Sequence, residues 1–216
     1  MAATAVRYLR SVGASTAAEQ HVETMPRRPH LRAVGDDERS EMGVPPAEGW
    51  GSLPVDPGEF RAVLGHFASG VTVVTAPGAD GRDAPVGFAC QSFASLSLDP
   101  PLVTFMIART STTWPHIARA GVFCVNVLGE DQGPLCMGFA VSGADKFAGV
   151  SYDAAPVTGS PRLASVPAWI DCRIQAVHTG GDHLIVVGKV EALGGVEDED
   201  AAPLLFHRGK FGRFTH

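Results

Sequence analysis

From Val71 onward the chain consists of short apolar, β-branched runs, each closed by Gly, Pro, Asp or Asn, and this punctuation constrains its fold more than any other feature. Residues 71–76 form one such run, a Pro/Gly/Asp turn is predicted over 77–82, and a second run continues from Pro85 into Ser97. Further strands are predicted over 102–108, 122–128, 168–178, 183–193 and 204–206. Helical periodicity is brief. Asp56-Pro57-Gly58-Glu59 reads as a capping box with Pro at the first helical position, and Phe60, Val63, Leu64 and Phe67 follow at helical spacing. That helix is expected to end at Gly70, with others over 113–119 and 132–140. Six or more strands without regular βαβ alternation predict a mainly β fold, an antiparallel barrel carrying a few helices.

The first 55 residues differ from the rest. Only two of the 16 aromatic residues lie there, Tyr8 and Trp50, and Pro26, Pro29, Pro45, Pro46 and Pro54 interrupt mixed charges. Such a segment buries too little apolar surface to offset its ordering entropy, so 1–55 is expected to be a flexible N-terminal extension and 56–216 the folded domain. A formal charge of -6 without a basic run argues against nucleic acid as a partner. No apolar run approaches the length that crosses a bilayer, and none of the four cysteines shows metal-ligand spacing, so membrane and metal are not expected. Reduced thiols imply a cytoplasmic setting. No GxGxxG lies between a strand and a helix, and GxSxG, HExxH and paired carboxylates are absent, which argues against a Rossmann nucleotide site and against a hydrolase.

Three polar features remain. Gln91-Ser92-Phe93-Ala94-Ser95-Leu96-Ser97 offers hydroxyls and backbone amides able to follow a ring edge and a phosphate tail, or it is an edge strand ending in a turn. Ser92 and Ser95 fall on opposite strand faces, so a kink or bulge is needed if both serve one ligand. Arg109-Thr110-Ser111-Thr112-Thr113 precedes a helix, where it either cradles a phosphate or caps the helix. His178-Thr179-Gly180-Gly181-Asp182-His183 reads as a hairpin turn between two histidines. Lys146 adds a cation that either meets a phosphate or is solvated.

Together these segments resemble the short-chain flavin reductases, whose fold is the FMN-binding split barrel of antiparallel Greek-key type and which serve as reductase components of two-component flavin monooxygenases. The resemblance runs through Phe67–Thr75, Gly87–Pro101, Phe123–Leu128, Asp145-Lys146-Phe147, Gly181-Asp182-His183 with Gly188-Lys189-Val190, and Pro203–Phe211. It implies that Ala89, through its backbone, with Cys90, Gln91 and Ser92 follows the isoalloxazine edge, and that Ser95 and Ser97 reach toward the ribityl-phosphate end. Ser111, Thr113 and Lys146 would contact phosphate, and His183 would position NAD(P)H, with Ser69 on the same side. Gln91 stands where the family often has Asn, Ala89 where it often has Thr, and Phe211 where Tyr is frequent.

The implied activity is reduction of FAD or FMN by a nicotinamide nucleotide, with reduced flavin diffusing to a separate flavin-dependent monooxygenase. The absence of an obvious basic cluster leans toward NADH over NADPH. Split-barrel flavin proteins are similar in building the site at a two-fold interface, so a homodimer is expected. Two alternatives are a split-barrel oxidoreductase with tightly bound flavin and a non-catalytic flavin- or haem-binding carrier.

Overall fold

A computed structural model describes residues 55–78, 84–141, 145–196 and 201–214. The extension expected over 1–55 lies, apart from Val55, outside the described residues, as does most of the turn predicted over 77–82.

The elements are, in chain order, α1 (Pro57–Leu64), β1 (Ser69–Gly70), β2 (Thr72–Ala76), β3 (Val86–Cys90), β4 (Ala94–Leu98), β5 (Pro101–Ala108), α2 (Trp114–Ala120), β6 (Val122–Val127), α3 (Gly133–Ala140), β7 (Tyr152–Ala154), β8 (Pro161–Leu163), β9 (Ala168–Gly180), β10 (His183–Gly195), β11 (Leu205–His207) and β12 (Lys210–Gly212). Seven of the strands form one sheet in the order β3-β2-β6-β9-β10-β5-β4, and every ladder in it is antiparallel. Laid flat, six interstrand spacings of about 4.8 Å would hold β3 and β4 roughly 29 Å apart. Only Gln91 to Phe93 join them, and the four Cα steps from Cys90 to Ala94 reach about 15 Å at most. The sheet therefore curls into a barrel whose seam is that short step.

Ser92 stitches the seam. The β4 ladder on β5 stops at Thr104, and beyond it the Ser92 hydroxyl donates to the Met106 carbonyl at 3.0 Å and accepts from the Met106 N–H at 2.8 Å. A side chain thus stands in where the partner strand has ended.

The barrel interior is filled by Val74, Val103, Phe105, Ile107, Phe123, Val125, Cys172 and Val186, all buried. Phe105 and Phe123 meet edge to face at 5.2 Å, a favoured aromatic geometry. The opposite face of β2 presents Val73 to a second cluster with Leu128, Cys136, Phe139, Leu163 and Leu204, which explains why every residue of β2 is buried. Buried Asn126 ties this layer to the barrel. Its Nδ2 donates to the Val73 carbonyl and the Thr75 hydroxyl, while its Oδ1 accepts from the Leu163 N–H. Among the described residues no helix is long and apolar enough to cross a membrane.

Two expectations need correction. The first helix ends at Leu64, with Gly65 as its cap, and not at Gly70. Ser69 and Gly70 are extended because they pair with Phe206 and Leu205 of β11, and a ladder requires β-region backbone. The run from Pro85 into Ser97 is two strands on opposite edges of the sheet, since closing the barrel breaks it at residues 91–93.

Candidate active site

Two adjoining cavities of about 800 and 690 Å³ share Phe88, Ala89, Ala108, Ser111 and Ala140 and form one groove. Each volume falls in the range of roughly 300–1,000 Å³ common to cofactor sites. Its wall includes every residue from Ala84 to Ser92. Side chains of a strand alternate between faces, so a groove that touches consecutive residues runs along the strand's edge. The β3 strand is such an edge, laddered only to β2, and its second edge presents main-chain donors and acceptors to the groove.

One end is polar. Thr110, Ser111, Thr112, Thr113, His116, Asp145 and Lys146 line it. The Lys146 ammonium donates to the Gly87 carbonyl at 3.0 Å, and partial burial lowers its pKa below the ordinary lysine value. The Ser111 hydroxyl accepts from the Thr113 and Trp114 N–H groups, each at 3.2 Å. Ser111 thus satisfies two N–H groups at the entry to α2, while the N-cap residue Thr113 makes no side-chain cap bond; because both bonds are accepted, the Ser111 hydroxyl hydrogen is left to donate elsewhere.

The middle is apolar, walled by Val71, Phe88, Met106, Ile107, Met137, Phe206 and Phe211. The Cys90 side chain turns into the barrel core, and burial raises its thiol pKa. It offers the groove backbone and no thiolate. His183 lines the far side. It opens β10 after the two-residue turn Gly181-Asp182, in which Gly181 has φ +66°, a conformation that suits glycine. The Asp182 carboxylate lies 2.7 Å from His183 Nδ1 and fixes the ring's orientation; this hydrogen bond in turn holds the Asp182 carboxyl below its ordinary pKa. The Asp182 carbonyl also accepts from the Arg109 N–H at 3.0 Å, which locks the hairpin to the corner carrying Ser111 and Thr113.

The groove thus brings together Ala89, Cys90, Gln91, Ser92, Ser111, Thr113, Lys146 and His183. Ser95 and Ser97 lie on β4 and Ser69 on β1, and none of the three lines either cavity. The kink needed to serve both Ser92 and Ser95 exists, with a further register shift between Ser95 and Ser97, yet it directs only Ser92 to the groove. His178 lines neither cavity. His116, Met106, Met137 and Phe206 were not anticipated. His116 follows Thr113 by three residues, a spacing that places both on one helix face, and this signal was available in the sequence. Met106, by contrast, comes to the groove through barrel closure. A flat ring along the β3 edge with an anionic tail toward Lys146 fits these walls, so the residues suit a flavin.

The flavin reductase like domain model matches residues 64–215. The reductase subunit HsaB of a flavin-dependent monooxygenase from Rhodococcus jostii is 50% identical over 157 residues, covering 73% of this chain and 77% of that protein. Among solved structures, nitrilotriacetate monooxygenase component B from Mycobacterium thermoresistibile superposes with a TM-score of 0.68 at 46% identity, covering 72% of this chain and 85% of that one. An NADH:FAD oxidoreductase of Streptomyces globisporus, solved with NAD and FAD fragments, gives 0.68 at 32% identity over 76% of this chain and 98% of its own. The barrel closed by Ser92, the edge-lined groove and the family match over most of the chain agree, and the chain belongs to the flavin reductase like domain family, as an oxidoreductase of split-barrel fold.

Proposed function

We propose that the domain over residues 56–216 transfers a hydride from NADH, in preference to NADPH, to FAD or FMN and releases the reduced flavin to a separate monooxygenase component. The observation that carries this reading is the groove that runs along the free edge of β3 from the Lys146 end to His183.

Bound there, the flavin supplies the two-electron acceptor. The main chain of Ala89, Cys90 and Gln91 holds the ring edge and the Ser92 hydroxyl fixes the step beneath it. Ser111, Thr113 and Lys146 hold the phosphate, with His116 beside them. His183, oriented by Asp182, positions the nicotinamide against the exposed ring face. Direct transfer between two stacked rings needs near-attack geometry and exclusion of water and no strong general acid or base, which matches a site with hydroxyls, an ammonium and two imidazoles. Since reduced flavin must leave, the groove holds it by few charged contacts, and flavin separates from the protein on gel filtration. The protein acts in the cytoplasm, in keeping with four buried free cysteines. It works as a homodimer, for which exposed Leu96 and Leu98 on β4 and Leu193 on β10 provide apolar surface to cover.

Anaerobic mixing with NADH and FMN or FAD tests the reading. Loss of the visible flavin absorbance, matched one for one by NADH consumption, is the expected result; an unbleached spectrum with both flavins refutes it.

A further inference from the structure

Among the described residues, the sulfur side chains that reach solvent are both in the groove. Cys90, Cys124, Cys136 and Cys172 are buried, whereas Met106 and Met137 stand 41% and 56% exposed. No other methionine occurs among the described residues, and both of these line the apolar middle of the site.

Each methionine faces outward because its neighbours face inward. Side chains on β5 alternate between faces, so Phe105 and Ile107 enter the barrel core and Met106 between them does not. On α3, Cys136 and Phe139 pack into the second cluster while Met137 stays exposed. The Ser92 hydroxyl bonds both the N–H and the carbonyl of Met106, which pins that residue at the seam.

A thioether packs adaptably against a flat ring, and it is also a group that takes up oxygen to become a sulfoxide. The thiols nearby are poorer targets. Burial raises the pKa of Cys90 and of Cys136, so both stay protonated, and thiolate is the reactive form. A thioether needs no deprotonation.

We propose that Met106 and Met137 form an oxidation site through which the reductase slows itself when no oxygenase takes up its product. The assignment rests on the hydride-transfer reading of the groove. Reduced flavin left in air passes two electrons and two protons to dioxygen, giving oxidised flavin and hydrogen peroxide. The peroxide transfers one oxygen atom to the thioether sulfur: an S–O bond forms as the O–O bond breaks, and the remaining oxygen leaves as water. The product side chain is polar, and it stands on a wall shared with Val71, Phe88, Phe206 and Phe211. Flavin then binds less well and NADH oxidation falls. Methionine sulfoxide reductases reverse the change.

The test uses wild type, Met106→Leu, Met137→Leu and the double variant, because leucine conserves an apolar wall of similar volume and takes up no oxygen. Each protein turns over NADH and FMN in air without an oxygenase, beside an anaerobic control, and is scored against its own starting rate. Peptide mass spectrometry locates the added oxygen. In air alone, wild type should gain one oxygen on each methionine while KM for FMN rises about tenfold, as for one polar group left unpaired against the ring. Methionine sulfoxide reductases A and B together should restore the starting rate, and the double variant should hold its own rate about fivefold longer or more. Either single variant keeps the test available if the double one does not fold. Activity that falls with neither methionine oxidised overturns the proposal. So do oxidised methionines with an unchanged KM for FMN, or a double variant that decays as fast as wild type. Hydrogen peroxide added to the resting protein reads the site apart from turnover, and Met106 and Met137 left unoxidised there also overturn it. Wild type that oxidises no NADH with FMN or FAD refutes the hydride-transfer reading instead.

Discussion

At the scale of single residues the site separates groups that hold a ligand from groups that hold the protein. Lys146 bonds the Gly87 carbonyl, lines the groove and is proposed to meet the flavin phosphate. Burial lowers its pKa, so its charge is lost at lower pH than in a free lysine, near 10.4. If that charge meets the flavin phosphate, kcat/KM for flavin falls as pH rises through the depressed value, and Lys146→Met removes the fall; a pH profile that is the same in both proteins contradicts the assignment. His183→Ala should lower kcat/KM for NADH on the order of 100-fold through misplacement of the nicotinamide, leaving flavin affinity intact. Steady-state assays with each substrate varied in turn decide this, and an unchanged NADH dependence would remove His183 from the site. Ser92 belongs to both kinds, since its hydroxyl bonds Met106 and also lines the groove.

At the scale of elements, close packing dictates where side chains can be small. A Cβ on Gly188 would lie 2.3 Å from Phe123 Cζ, at a register shift between Val187 and Gly188 that brings β10 onto the barrel core. Gly188→Ala is therefore predicted to cost about 1–3 kcal/mol, measured by urea denaturation; a variant as stable as wild type would mean that Phe123 moves aside freely. This contact also marks the limit of sequence reading. The strands β5, β6 and β9, expected over 102–108, 122–128 and 168–178, were legible because β-branched runs between turn residues leave few other folds. The two short strands at Tyr152–Ala154 and Pro161–Leu163 carry too few apolar residues to signal a period; Asn126 from β6 ties the second to the core, and the first pairs with the second. Gly70 read as a helix stop because its partner Leu205 lies far along the chain.

At the scale of the whole molecule, the function depends on a barrel whose seam opens a strand edge to a groove. The resemblance pointed to Gln91-Ser92 and to His183, which both line the groove, because each is a compact local motif. It could not show that Ser95 and Ser97 lie outside both cavity walls or that Met137 and Phe206 complete the wall, since those placements follow from closure and from the packing of α3 and β11. A homodimer near twice the chain mass of 22.6 kDa is expected by analytical ultracentrifugation, and a monomer at all working concentrations would contradict it. The most direct examination of the central claim is a crystal structure of the protein grown with FMN or FAD. Electron density for the ring along the free edge of β3, with its phosphate at Lys146, Ser111 and Thr113 and its exposed face toward His183, is the predicted result. Flavin bound elsewhere, or a groove filled by the chain's own side chains, would contradict it.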